Sequence, residues 1–252
     1  MKKNCLYGII MIVLCGSISF TTTFAQTDKS FTPPATLQEE RAVLEKCKTE
    51  ITLDPVNYTS LCRAALFSAR IGRRQSNKDL KSQYFTEARN YAERALKIKS
   101  ADESNYVMSV AIGSVAEVAS TKEALLLSKD VKKYAEAALK FNPNHAGANH
   151  VLGMWNFRVA NLNFIQRAAA NALFGGLPEG ASNDNALKYL QKATQAQPDF
   201  ILYWLDLAQC QNENNQEAAA IQSVKKALSL KIQTPDDAAH LAKCKELLQD
   251  WE

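Results

Sequence analysis

The chain has 252 residues, a formal net charge of +4, 46% apolar residues, and only 9 glycines and 7 prolines. That apolar content can fill a core, while so few turn residues exclude an all-β sandwich with a turn roughly every ten residues. Acidic and basic residues are interspersed, so the chain lacks the basic patch that nucleic-acid binding requires.

In chain order, Lys2 and Lys3 precede a mostly apolar run over 6–20, and Thr23-Phe24-Ala25 places small residues before a cut ahead of Gln26. This basic, apolar, small-residue order predicts a signal peptide over 1–25 and a periplasmic or secreted mature chain. An uncleaved N-terminal membrane anchor is the alternative, but the run is shorter than the roughly 20 residues of a span and carries Ser17 and Ser19. Residues 26–34 read as a polar, proline-containing, disordered tail, and 35–252 as one helical domain. Helices are expected near 36–53, 57–73, 82–99, 103–120, 122–141, 145–161, 164–173, 183–196, 199–213, 215–231 and 235–250. Thr234 is placed as the cap of the last one, with Pro235 in its first turn.

The helices repeat. Trp204, Leu207, Ala208 and Gln211, followed by Ala220, Val224 and Ala227, match the tetratricopeptide-repeat (TPR) spacing W-x2-L-G-x2-Y…A-x3-F-x2-A. The small-large-small half recurs at Ala186, Leu190 and Ala193 ahead of Pro198, at Ala138 ahead of Pro143, and at Ala88, Ala92 and Ala95. Equivalent alanines are separated by 43, 55 and 34 residues, and only the last equals the TPR period of about 34. The expected fold is therefore all-α: a TPR-like helical-hairpin solenoid with divergent repeats and insertions. A terminal helix with Leu241, Leu248 and Trp251 on one side suits the cap such arrays need.

Residues 152–228 resemble the regulator of microtubule dynamics family. The resemblance is carried by Leu152-Gly153-x-Trp155, by Val159-Ala160-Asn161-Leu162, by Arg167, and by Ala172-Leu173-Phe174-Gly175-Gly176-Leu177-Pro178. It implies the TPR fold, and animal members of the family are described as microtubule-associated, one of them handling phospholipids. It brings no catalytic set to carry over.

No catalytic constellation is present either. His145 and His150 are five apart and diverge by roughly 140° on a helix, which is poor geometry for a shared metal. There is no HExxH, GxSxG, CxxC or phosphate-binding loop, so no cofactor and no metal are expected. Cys47 and Cys62 flank Asp54-Pro55 almost symmetrically and read either as a disulfide across the turn or as two buried thiols. Cys210 and Cys244 lie 34 apart, one repeat, usually too far for a bridge.

The function expected is a non-catalytic scaffold for a protein or peptide partner; the alternative is a carrier of an apolar ligand such as a phospholipid or acyl chain. The first helices of the hairpins line the inner face of a TPR array. Cys62, Leu66, Val110, Ser114 and His150 are candidates there, and Met154, Phe157, Arg158, Leu202, Leu205 and Gln209 are the expected ligand-binding set. The insertion over 162–177, with Phe164, Ile165, Leu173 and Phe174, is too apolar to stand in water. It is expected to bury, either covering the inner groove or docking a partner or membrane.

Overall fold

A computed structural model describes residues 34–174 and 180–252; the leader and the tail through residue 33 lie outside the described residues, as do the side chains of Leu173 and Phe174. The described residues form eleven α-helices and no strand: α1 Leu37–Leu53, α2 Tyr58–Arg73, α3 Lys78–Ile98, α4 Asp102–Val118, α5 Thr121–Phe141, α6 Ala146–Ala160, α7 Phe164–Phe174, α8 Asn183–Ala196, α9 Ile201–Glu213, α10 Glu217–Leu228 and α11 Asp237–Trp251.

Local chemistry sets most boundaries. Thr36 and Glu39 form a reciprocal capping box at α1, and Ser120 and Glu123 form another at α5. Asn57, Asn77 and Ser182 accept from the third backbone N–H beyond them. The Asn77 cap lets α3 begin four residues before its expected start. Three helices end the same way, because a proline bars the α region to the residue before it. Asp54, Asn142 and Gln197 all leave the helical region, with φ of −133°, −140° and −139°, and each donates its N–H back to the carbonyl four residues earlier. At α11 the expected Thr234 cap works in reverse. The Asp237 carboxylate turns back and accepts from Gln233 N, Thr234 N and Thr234 Oγ1, each at 2.8 Å, so the helix starts only at Asp237.

The helices pair as α2/α3, α4/α5, α6/α8 and α9/α10, with α1 packed on α2 and α11 on α9 and α10. The first helices also touch in series, α2 to α4 to α6 to α9 to α11, and form one wall; the second helices are separated from one another. Close approach explains the small-large-small spacing. Ala88, Ala92 and Ala95, Ala135 and Ala138, Ala186, Leu190 and Ala193, and Ala220, Val224 and Ala227 are all fully buried. A Cβ at Gly153 would lie 2.6 Å from Leu190 Cγ, so only glycine lets α6 and α8 meet as they do. In the last repeat Gln211, where tyrosine is usual, accepts from Ser223 Oγ at 2.7 Å and ties α9 to α10.

The insertion falls between the two helices of the third hairpin. Asn161 Nδ2 donates to Asn183 Oδ1 at 2.8 Å and closes its base, and α7 packs on α5. Within the chain itself the described part of the insertion is only partly covered. Ala170 is buried, but Phe164 and Ile165 are 85% and 73% exposed. They occupy the first turn of α7. The cysteines also differ from the bridged alternative. Cys47, Cys62, Cys210 and Cys244 are all buried free thiols. Cys62 faces Tyr58 and the acidic start of α4, whereas Cys47 has Glu50 and Arg63 as neighbours. Cys210 and Cys244 pack into different hydrophobic layers.

Candidate functional site

A set of polar side chains is gathered on the wall formed by the first helices. At its α2 end Arg70 holds the fully buried Glu40 of α1 at 2.8 Å. Arg74, one turn further on, is ion-paired with Glu40 and also with Asp236 at 2.7 Å. The next helix contributes Tyr106, whose ring lies 4.7 Å from that of His145 and rests on the first turn of α6. A Cβ at Gly147 would stand 2.5 Å from that ring, so the missing side chain makes room for it. His145 links the two helices by a single tautomer. Its Nδ1 accepts from Ala148 N at 3.1 Å and its Nε2 donates to Glu103 at 3.2 Å. A turn later His150 Nε2 donates to Asp206 Oδ2 of α9 at 2.6 Å, and its ring packs 4.7 Å from Tyr203. The Phe200 ring also packs on Tyr203, at 4.5 Å.

These groups are electrostatic neighbours. Burial pushes the Tyr106 hydroxyl up to about 12; Glu103 adds to the shift, while Arg70 and Arg73 oppose it. Burial likewise raises Tyr203 well above its ordinary value, with Tyr106 adding to the effect. Both therefore stay protonated near neutral pH and offer hydroxyls rather than phenolates. Burial lowers Arg70, and Tyr106, Asp236, Asp237 and Tyr203 partly restore it. The thiols move away from their reactive form: burial lifts Cys62 and Cys210 to about 12 and Cys244 to about 11. Among the described residues, no three His, Cys, Asp or Glu side chains come together as a metal site.

The residues expected to bind ligand are not brought together as one apolar lining. Met154 and Phe157 are half-buried against Ala186, Leu187, Leu190, Leu207 and Cys210, in the seam between α6 and its neighbours α8 and α9. Leu205 is buried in a separate cluster with Val224, Ala227 and Cys244. Leu202 and Gln209 are half-buried, and Arg158 is exposed. His150 does join the polar wall. Arg70, Tyr106, Tyr203 and Asp206 complete it without having been singled out by spacing.

The sequence profile of the family described as "Regulator of microtubule dynamics protein 1-3" matches residues 23–252. Regulator of microtubule dynamics protein 1 from Bos taurus is 33% identical over 115 residues, 45% of this chain and 36% of that protein. The Caenorhabditis elegans protein of the same name is 27% identical over 167 residues, 65% of this chain and 72% of its own length. The chain thus spans little more than a third of the bovine relative. A solved thermophilic TPR protein from Thermus thermophilus superposes with a TM-score of 0.57 at 16% identity, covering 84% of this chain and 92% of that one, which shows the TPR fold. The comparisons also correct the expected location. The matching relatives are animal proteins named as regulators of microtubule dynamics, which overturns the expected periplasmic or secreted placement. No helix among the described residues is long and apolar enough to cross a membrane.

Proposed function

Because this chain belongs to the regulator of microtubule dynamics family, we propose that it is a non-catalytic TPR-like scaffold that holds a segment of a partner protein against its inner wall. The observation that carries this reading is the row Arg70, Tyr106, His150, Tyr203 and Asp206, drawn from four successive inner helices. Such a group of neighbouring side chains offers donors and acceptors that suit the amides and polar side chains of a peptide. An acyl chain would strip water from the same groups and return no hydrogen bonds, so the wall favours peptide over lipid. The cysteine and inner tyrosine shifts run away from the deprotonated forms that nucleophilic catalysis uses.

The relatives' name makes a microtubule-associated protein, or tubulin itself, the first partner to test. Co-sedimentation with microtubules, alone and with cell extract, would compare the wild type with Tyr203→Phe and Asp206→Asn. Each variant removes one polar function with little change of volume. Binding that falls in both variants, with unchanged circular dichroism, supports the inner wall. Equal binding by all three places the partner elsewhere.

A further inference from the structure

Two carboxylates on the inner wall carry charge that the fold leaves unbalanced. The arginines nearby each hold a carboxylate of their own: Arg70 holds Glu40 at 2.8 Å, Arg73 holds Glu117 at 3.0 Å and Arg74 holds Asp236 at 2.7 Å. Glu103 at the start of α4 and Asp206 in the middle of α9 have no Lys or Arg partner among the described residues; their ion partners are the imidazoles of His145 and His150. His145 accepts a backbone N–H at Nδ1, so its ring is neutral and Glu103 keeps its full negative charge. The Glu103 side chain is 44% exposed and that of Asp206 12% exposed. Beside them is a buried polar group with nothing to bind. Tyr203 is 6% exposed, yet its hydroxyl has no hydrogen-bond partner among the described residues. Tyr106, Arg70, Glu103 and Asp206 all act on that hydroxyl, which therefore faces across the wall among α2, α4 and α9. A buried hydroxyl is costly to leave unpaired, and a ligand at this point would relieve it.

We infer that Glu103, Asp206 and Tyr203 form a receptor for a lysine side chain of the partner segment, the two carboxylates supplying charge and the phenolic oxygen a third acceptor. An ammonium group has three donors and no acceptor, which matches this set. Lysine fits better than arginine, because its slim stem passes an opening that leaves Tyr203 and Asp206 so little exposed, and the planar guanidinium does not. An anionic group would meet the two carboxylates and be repelled. The inference rests on the inner wall being the binding face, and it names the chemistry of what is bound there.

The test is calorimetric titration of the full chain at low salt with hexalysine, and with hexaglutamine as the neutral peptide. The wild type should bind hexalysine about ten-fold more tightly or better. Glu103→Gln and Asp206→Asn keep an oxygen for their histidines and remove the charge; each should weaken hexalysine about ten-fold, and Tyr203→Phe about three-fold. Glu93→Gln, which removes an exposed charge from α3 outside the wall, should change binding less than about two-fold. Equal binding of the two peptides, or equal losses in Glu93→Gln and the wall variants, would overturn the receptor. Should Asp206→Asn fail to fold, amide exchange of the wild type decides: hexalysine should slow exchange at the start of α4 and along α9, and slowing confined to other helices overturns the receptor. Hexalysine bound at the wall, with microtubule co-sedimentation unchanged in Tyr203→Phe and Asp206→Asn, would support the receptor and sink the functional reading. Co-sedimentation lost in those variants, with no hexalysine bound, would sink the receptor alone.

Discussion

Replacing Gly153 by alanine tests the closest helix contact in the fold. The new Cβ would stand 2.6 Å from Leu190 Cγ, 2.8 Å from Leu190 Cδ2 and 3.2 Å from the Leu190 backbone nitrogen. Leu190 is fully buried, so its side chain has nowhere to retreat, and the backbone contact means that α8 itself must shift. Overpacking of this kind costs about 1–3 kcal/mol. Alanine's helix preference over glycine returns about 1 kcal/mol, and the backbone contact places the cost in the upper part of that range, leaving a net loss of up to about 2 kcal/mol. Gly113, in the middle of α4, is the control. A Cβ there meets Val131 Cγ2 at 3.9 Å, an ordinary contact, so Gly113→Ala keeps the whole gain of about 1 kcal/mol. The same chemical change should therefore have opposite signs at the two positions. Melting temperatures should rise by about 2–4 °C for Gly113→Ala and fall by a similar amount for Gly153→Ala, with urea midpoints moving in the same directions. If both variants melt higher, α6 and α8 are not in contact through Gly153 and the account of the third hairpin fails.

Glu40→Gln should destabilise by about 3–5 kcal/mol in urea unfolding, because it leaves the largely buried Arg70 guanidinium without its carboxylate and removes one of the two that Arg74 holds; a change under about 1 kcal/mol would mean that solvent reaches the cluster. At Asp237 burial works to raise the pKa, but the His240, Gln233 and Thr234 hydrogen bonds outweigh it and hold the carboxyl below its ordinary value. That contribution is complete above the unfolded value and is lost as pH falls through the lower folded one. The acid limb of a stability-pH profile should thus be shallower in Asp237→Asn than in the wild type, and superimposable limbs would contradict the assignment. The four buried thiols should resist Ellman's reagent at pH 8 in the native chain and react on unfolding; prompt native reaction of Cys62 or Cys210 would show that their helix layers open readily.

Local spacing carried the fold because its cause is local. Ala186, Leu190 and Ala193 are buried by the helices that precede and follow α8, and a small-large-small row is what any such helix needs. The inner wall gave no comparable signal. Each first helix is packed on several sides at once, so apolar residues run most of the way around α6 and α9, and periodicity does not mark the side facing the partner. On α9 the expected row of Leu202, Leu205 and Gln209 is offset by one residue, a rotation of about 100°, from Tyr203 and Asp206 of the proposed binding wall. Pairs such as Glu103 with His145, His150 with Asp206 and Arg74 with Asp236 span 42, 56 and 162 residues, and no repeat period points to them. At the N-terminus the leader pattern suggested a compartment that the family match overturned. An apolar run after two lysines is a short signal, and different kinds of protein carry it.

Solenoids are commonly treated as linear chains of units, each coupled to its neighbours, so that thermal fraying begins at the free termini and works inwards. The contact between α2 and α11 changes that boundary condition. Detaching the last helix removes a carboxylate from a cluster built on α1 and α2, and a disturbance at one terminus registers at the other without crossing the repeats between them. The array then has fewer independent partly unfolded states than its repeat count suggests, and truncation at either end weakens both.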